Sequence, residues 1–212
     1  SRRDSLRKTP STQECLAQLV EKTDSVTKTL YQRKTPEGVE IAVCKADMCS
    51  YPVHAVVNPA NQDLKHNAGL AASFLKAAGP QLQNECDKII KRGQLKPGDC
   101  VITGAGGQLC CQKVIHVVGP KFENLKKHGL KHKNLTSISL PAIGTGNLGF
   151  PKDLVASLIL DKISEFSQKK NPKHLKKVVI VLYPGDKQTI QEITLLHCYL
   201  PAKYPPVSPL LI

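Results

Sequence analysis

The sequence has no tryptophan, one methionine and only 4% aromatic residues, so the stacking platforms that commonly hold single-stranded nucleic acid are scarce. Its 8 cysteines, Cys15, Cys44, Cys49, Cys86, Cys100, Cys110, Cys111 and Cys198, include no C-x-x-C pair, which removes the zinc ribbon and the thioredoxin-type motif. They read as mostly reduced, small apolar side chains in a reducing compartment. Long hydrophobic runs are missing too. Nothing approaches the roughly 18 uninterrupted apolar residues of a membrane span, and the first 20 residues carry charges in place of a signal-peptide core. The chain therefore reads as soluble and unsecreted. Acidic residues are few, 17 against 30 Lys plus Arg, and the resulting charge of +13 points to an anionic partner. With 41% apolar and 22% charged residues over 212 positions, one compact domain with ragged ends is expected, neither two full domains nor a disordered chain.

The chain starts at Ser1 rather than Met and reads as a piece of a longer protein. Residues 1–38 are expected to be a linker with one short helix. Positions 1–10 are basic and polar, and Ser11-Thr12-Gln13-Glu14 has the capping-box pattern, followed by Leu16, Leu19 and Val20 at helical spacing. Residues 22–38 show turn residues and no sustained periodicity. From residue 39 the pattern becomes apolar runs bounded by turns, predicting strands over 39–44, 54–57, 99–103, 113–118, 137–140 and 177–182. Helical patterns lie between them at 70–78, at 80–91 with Gly93 closing it, and at 153–167, where Leu154, Val155, Leu158, Ile159, Ile163 and Phe166 make one face. The domain is thus expected over 39–192, with an apolar, proline-rich tail over 193–212. Strands alternating with helices imply an α/β fold with a largely parallel sheet covered on both faces. Such sheets bind ligands beyond the carboxyl ends of their strands.

Four segments following strands suit backbone contact with an anion: Lys45-Ala46-Asp47-Met48, Asn58-Pro59-Ala60-Asn61 with Asn67-Ala68-Gly69, Gly104-Ala105-Gly106-Gly107, and the run Gly144 to Phe150. In the last, three glycines let the main chain approach a bulky anion, and a helix starting near Pro151 adds its positive end. A tight left-handed turn without a ligand fits the same residues. The loop matches neither G-x-x-x-x-G-K-[ST] nor G-x-G-x-x-G, which takes support from a Walker-type NTPase and an ordinary dinucleotide fold. Asn58 and Asn61 carry amides suited to a hydroxyl-rich sugar, or to Asx-turns. Asp47 is placed to accept from an exocyclic amine, or to cap a short helix from Met48 onward.

Together, Val56-Val57-Asn58-Pro59-Ala60-Asn61, Val114-Ile115-His116-Val117-Val118-Gly119-Pro120 and Leu140-Pro141-Ala142-Ile143-Gly144-Thr145-Gly146 with Gly149-Phe150-Pro151 resemble the three signatures of macrodomains, over about residues 39–191. Asp63-Leu64-Lys65-His66, Gly69-Leu70-Ala71 and Lys76-Ala77-Ala78-Gly79 are most similar to the macrodomains of macro-PARP ADP-ribosyltransferases. The resemblance implies a three-layer α/β/α fold with a mixed, mostly parallel central sheet, and ADP-ribose as ligand. It places Asp47 at the adenine amino group, with Met48 offering its N–H, and Tyr183 against the adenine. Asn61 would face the distal ribose and Asn58 brace the loop. Ala68, Gly69 and Leu70 would form a first phosphate loop, and Gly144, Thr145, Gly146, Asn147, Leu148, Gly149 and Phe150 a second.

Departures from the family pattern are local. Asn67 and Ala68 stand where many members have glycines, Ala71 stands where one hydrolase branch has an Asp, and Leu148 takes a position that is often aromatic. The segment 121–133 is short for the crossover helix usually found there. The expected function is a binding module for ADP-ribose, free or as mono- or poly-ADP-ribosyl groups on proteins, in a macro-PARP-like parent chain that is itself an ADP-ribosyltransferase. The expected setting is a monomeric domain in nucleus and cytoplasm. An ADP-ribosyl hydrolase is the first alternative. The second is a binder of RNA or another polyanion through the lysine-rich segments 121–133 and 169–177. No metal or cofactor is expected: by spacing the 7 histidines make no ligand set, His116 reads as a core residue, and His128, His132 and His174 lie among lysines. Cys110-Cys111 lacks a His–acid relay and is not expected to act as a nucleophile.

Overall fold

Uninterrupted runs of valine and isoleucine become strands buried on both faces, the arrangement a covered parallel sheet demands. The computed structural model describes residues 27–119, 135–145, 150–170 and 172–192. Among these the order is β1 (Lys28–Lys34), β2 (Glu40–Lys45), β3 (Ala55–Ala60), α1 (Gly69–Ala78), α2 (Pro80–Ile90), β4 (Cys100–Gly104), β5 (Lys113–Val118), β6 (Ser137–Leu140), α3 (Lys152–Lys170) and β7 (Lys177–Leu182). Residues 187–192 are helical.

One sheet takes all seven strands in the order β1-β2-β7-β6-β3-β5-β4. β2, β7, β6, β3 and β5 run parallel, while the edges β1 and β4 are antiparallel to their neighbours. The register aligns Val43 with Ile180 and Val57 with Ile115, so alternate side chains collect on opposite faces. Ile41, Val43, Val57, Ile115, Ile138 and Ile180 meet Val155, Ile159 and Ile163 of α3. Ala42, Cys44, Val56, Val114, Val179 and Val181 meet Phe74 of α1 and Leu82 of α2 on the other side. Phe74 is fully buried there, and removing such a side chain from water is worth about 1.5–3 kcal/mol. The layers are therefore α/β/α, as the alternation and the resemblance imply.

Two expectations change. The domain does not start at residue 39, because residues 28–34, assigned above to the linker, form the edge strand β1. That strand is polar and only half-buried, so no periodicity marks it. It is held by pairing with β2 and by tertiary bonds to α3, in which Thr35 Oγ1 meets Ser167 Oγ at 2.8 Å and Ser167 Oγ donates to Glu37 Oε2 at 2.6 Å. β3 also runs past the expected residue 57, through Pro59 to Ala60. β6 pairs only with Ala55 and Val56, so by Pro59 the strand has an unpaired side on which a missing N–H costs no ladder bond. The helix expected within 11–20, the crossover 121–133 and the tail 193–212 lie outside the described residues.

Candidate functional site

Three parallel neighbours, β2, β7 and β6, end on one side of the sheet, and the chain that leaves each of them walls a cavity of about 420 Å³. Ala46, Asp47 and Met48 follow β2, Tyr183 follows β7, and Pro141 and Ala142 follow β6. Gly69, Leu70 and Ser73 come from the first two turns of α1, and Asp186 and Thr189 from the turn into the helical residues 187–192. A volume of this order suits a small ligand, and the place is the carboxyl edge expected of such sheets.

The amino end of α1 is open toward the cavity. Ala68, in its cap position, makes no side-chain capping bond, and the first turn carries no acid. Its N–H groups and the positive end of the helix thus remain for an external anion. Gly69, at φ +59°, turns the chain into the helix.

Asp47 serves its own turn. Oδ1 accepts from the Cys49 N–H at 3.0 Å, whereas Oδ2 has, among the described residues, only a longer contact with Ser50 Oγ, 3.4 Å. One carboxylate oxygen is thus left with capacity for an amine. The Tyr183 ring is 70% exposed and lies over Gly185, where a Cβ would sit 2.6 Å from Cε1. The second glycine loop is closed at its base. Phe150 N–H donates to Gly144 O at 3.1 Å, and both N–H and Oγ1 of Thr145 donate to Ala142 O. At Gly144 φ is +92° and a Cβ would come 3.2 Å from the Phe150 ring. Gly146, Asn147, Leu148 and Gly149 lie outside the described residues.

Neither asparagine reaches the cavity wall. Asn61 is exposed, and its amide is spent on one loop, Oδ1 accepting from Lys65 N–H and Nδ2 donating to Lys65 O, both at 2.8 Å. Asn58 is fully buried with Nδ2 3.0 Å from His116 Nδ1, so it braces a histidine inside the fold and does not line the cavity. Conversely, Asp186, Ser73 and Thr189 line the cavity and are not among the residues expected there. Asp186-x-x-Thr189 is legible as a helix cap, and the Asp186 carboxylate does accept from Thr189 N–H at 3.0 Å. Its nearness to Asp47 follows only from the pairing of β2 with β7. Burial acts to raise the Asp186 carboxyl, but its bonds to Thr189 and the charge of Lys152, 3.6 Å away, outweigh it and hold the group below its ordinary value.

Away from the cavity, under the loop from β3 to α1, polar groups cluster in the interior. His116 Nε2 lies 2.9 Å from Thr103 Oγ1 and 3.8 Å from Cys86 Sγ, and His66 Nε2 lies 3.9 Å from the same sulfur. Burial, then the neighbouring His66, pushes His116 down to about 3. Burial, then the charges of Asp87 and Glu85, pushes the Cys86 thiol up to about 12. Spacing did not suggest this grouping, since the three come from a loop, a helix and a strand. Burial also raises Cys49 to about 11 and Cys111 to about 12, leaving thiols that are weak nucleophiles at neutral pH.

The family model described as Macro domain matches residues 57–159. Human protein mono-ADP-ribosyltransferase PARP14 is 36% identical over 197 residues, which cover 81% of this chain but 11% of that protein, so the chain spans only a small part of it. The Macro domain-containing protein lmo2759 of Listeria monocytogenes is 33% identical over 160 residues, covering 68% of this chain and 90% of that one. Among solved structures, the macrodomain of Oceanobacillus iheyensis with ADP superposes with a TM-score of 0.71 at 25% identity, over 84% of this chain and 98% of that one.

Proposed function

The chain belongs to the Macro domain family, and on that premise we propose that it is a module that binds ADP-ribose, free or carried on modified proteins, rather than a catalyst. The observation that carries this reading is the cavity at the ends of β2, β7 and β6, onto which α1 opens with an uncapped amino end. A diphosphate needs such unspent N–H groups, and an adenine needs an apolar wall with one acceptor for its amino group. Asp47 Oδ2 is that acceptor, Met48 offers its N–H, and the exposed Tyr183 ring covers the base. Ala68, Gly69 and Leu70 hold the pyrophosphate with the loop rising from Gly144 and Thr145. The relative solved with ADP supports the nucleotide half of this assignment.

Binding is favoured over hydrolysis by the carboxylates available. Ala71 offers none, and Asp186 is committed to Thr189 and Lys152, with its basicity lowered by them. The likeness to a short stretch of PARP14 supports a place in a longer ADP-ribosyltransferase-like chain, and nucleus and cytoplasm are proposed as its setting.

Calorimetric titration with ADP-ribose tests the reading. One site is expected, together with a rise in melting temperature by mass action. Asp47→Asn, which keeps the Oδ1 cap for Cys49 but loses the charge, should weaken binding at least tenfold while the free protein melts unchanged. No heat and no shift at millimolar ligand would refute the proposal. Binding of RNA that falls steeply with salt and ignores free ADP-ribose would put the lysine-rich segments in its place.

A further inference from the structure

We propose that His66, Cys86 and His116 form a structural site for one zinc ion, separate from the ligand cavity. The three residues leave different elements, His66 the loop between β3 and α1, Cys86 the helix α2 and His116 the central strand β5, yet their ligand atoms all lie within 4.8 Å of one another. All three side chains are buried, Cys86 and His116 completely. On a tetrahedral zinc, a sulfur and an imidazole nitrogen stand roughly 3.6 Å apart and two imidazole nitrogens roughly 3.4 Å apart. The two S···N distances of 3.9 and 3.8 Å are already within a few tenths of that. Only the nitrogen–nitrogen side must close, by a small turn of the rings, whose centroids are 5.2 Å apart. The donor set of two imidazoles and one thiolate suits a borderline-soft divalent ion. The fourth place is left for a water, beside the Thr103 hydroxyl that lies 2.9 Å from His116 Nε2.

The surroundings supply the orienting group that a metal-bound histidine needs. Asn58 meets the opposite ring nitrogen, Nδ1 of His116, at 3.0 Å, and its Oδ1 is buried with no hydrogen-bond partner among the described residues. With that oxygen turned to accept from Nδ1–H, the Nε2 lone pair is left for the metal. The consequence is mechanical. His66 lies two residues after Leu64, a non-glycine held at φ +50°, and three before Gly69 at the cavity. A metal there ties this strained loop to α2 and β5, and so adds to the stability of the fold.

Cobalt(II) is the probe, added to the full chain during refolding after chelation. One equivalent should be retained, with a thiolate-to-cobalt charge-transfer absorption that Cys86→Ser abolishes and Cys111→Ser preserves. Zinc should displace the cobalt and raise the melting temperature. His66→Gln, on the loop, should weaken uptake by roughly tenfold or more, and it decides the matter if Cys86→Ser does not fold. Failure to retain cobalt, a charge-transfer absorption that survives Cys86→Ser, or an affinity unmoved by His66→Gln would each overturn the assignment.

Discussion

On the β2–β7 side of the sheet, every residue from Ile41 to Cys44 and from Val178 to Leu182 is apolar and buried, and polar chemistry begins only where the strands stop, at Asp47 and Tyr183. On the β3–β5–β4 side it lies inside, where His116 of the middle strand meets Asn58 and Thr103 on the strands either side of it and Cys86 of α2. A polar group at a strand end keeps its water until a ligand displaces it, whereas one inside the sheet depends on its neighbours for every hydrogen bond it gives up. Changes on the second side should therefore register as stability, and changes on the first as binding.

The severest strain on this contrast is Gly107→Ala, in the loop after β4. An added Cβ would come 2.3 Å from Ala77 O and 2.6 Å from Ala78 O at a φ of +55°. A loss of about 3 kcal/mol or more in urea unfolding is expected, with the ADP-ribose affinity of the folded fraction unchanged. Thr103→Val comes next. It removes the hydroxyl 2.9 Å from His116 Nε2 and should cost about 1–3 kcal/mol, again without altering ADP-ribose affinity; an affinity loss would mean that the two sides are coupled. Tyr183→Ala should do the reverse, lowering ADP-ribose affinity roughly tenfold through lost stacking while unfolding moves by less than about 0.5 kcal/mol.

The smallest effect is expected of Asp186→Asn. The Asp186–Lys152 pair is partly exposed, so its loss should cost about 0.5 kcal/mol or less. Because the carboxyl is held below its ordinary value in the fold, that stabilisation is present at neutral pH. It fades as the pH falls through the carboxylate range and the group protonates. Melting curves of the variant and the parent should therefore differ slightly at neutral pH and coincide in acid.

Periodicity and turn residues were enough to locate β2, β4 to β7 and the three helices within a residue or a few, because each of these elements buries a face that its own side chains must encode. β1 carries no such pattern, for the opposite reason. Its residues are polar and its strand conformation is imposed by β2 and by the Thr35, Glu37 and Ser167 contacts, not by an apolar stripe. Of the site, Asp47, Met48, Gly69, Leu70 and Tyr183 could be singled out in advance and do line the cavity. Asp186 and Ser73 could not, since their relevance depends on which strands are neighbours. The asparagines illustrate the same limit, because a motif position does not say whether a side chain faces a ligand, its own loop or a buried histidine.

The amino-acid sequence by itself determined the class of fold, the order of its elements and the loops that leave the carboxyl ends of the strands, since hydrophobic spacing and glycine placement are local properties. Only the tertiary structure decided that β2, β7 and β6 open onto one cavity, and that a loop, a helix and a strand bring His66, Cys86 and His116 together. Both are meetings of residues far apart in the chain, settled by strand order and sheet register, which no local spacing encodes.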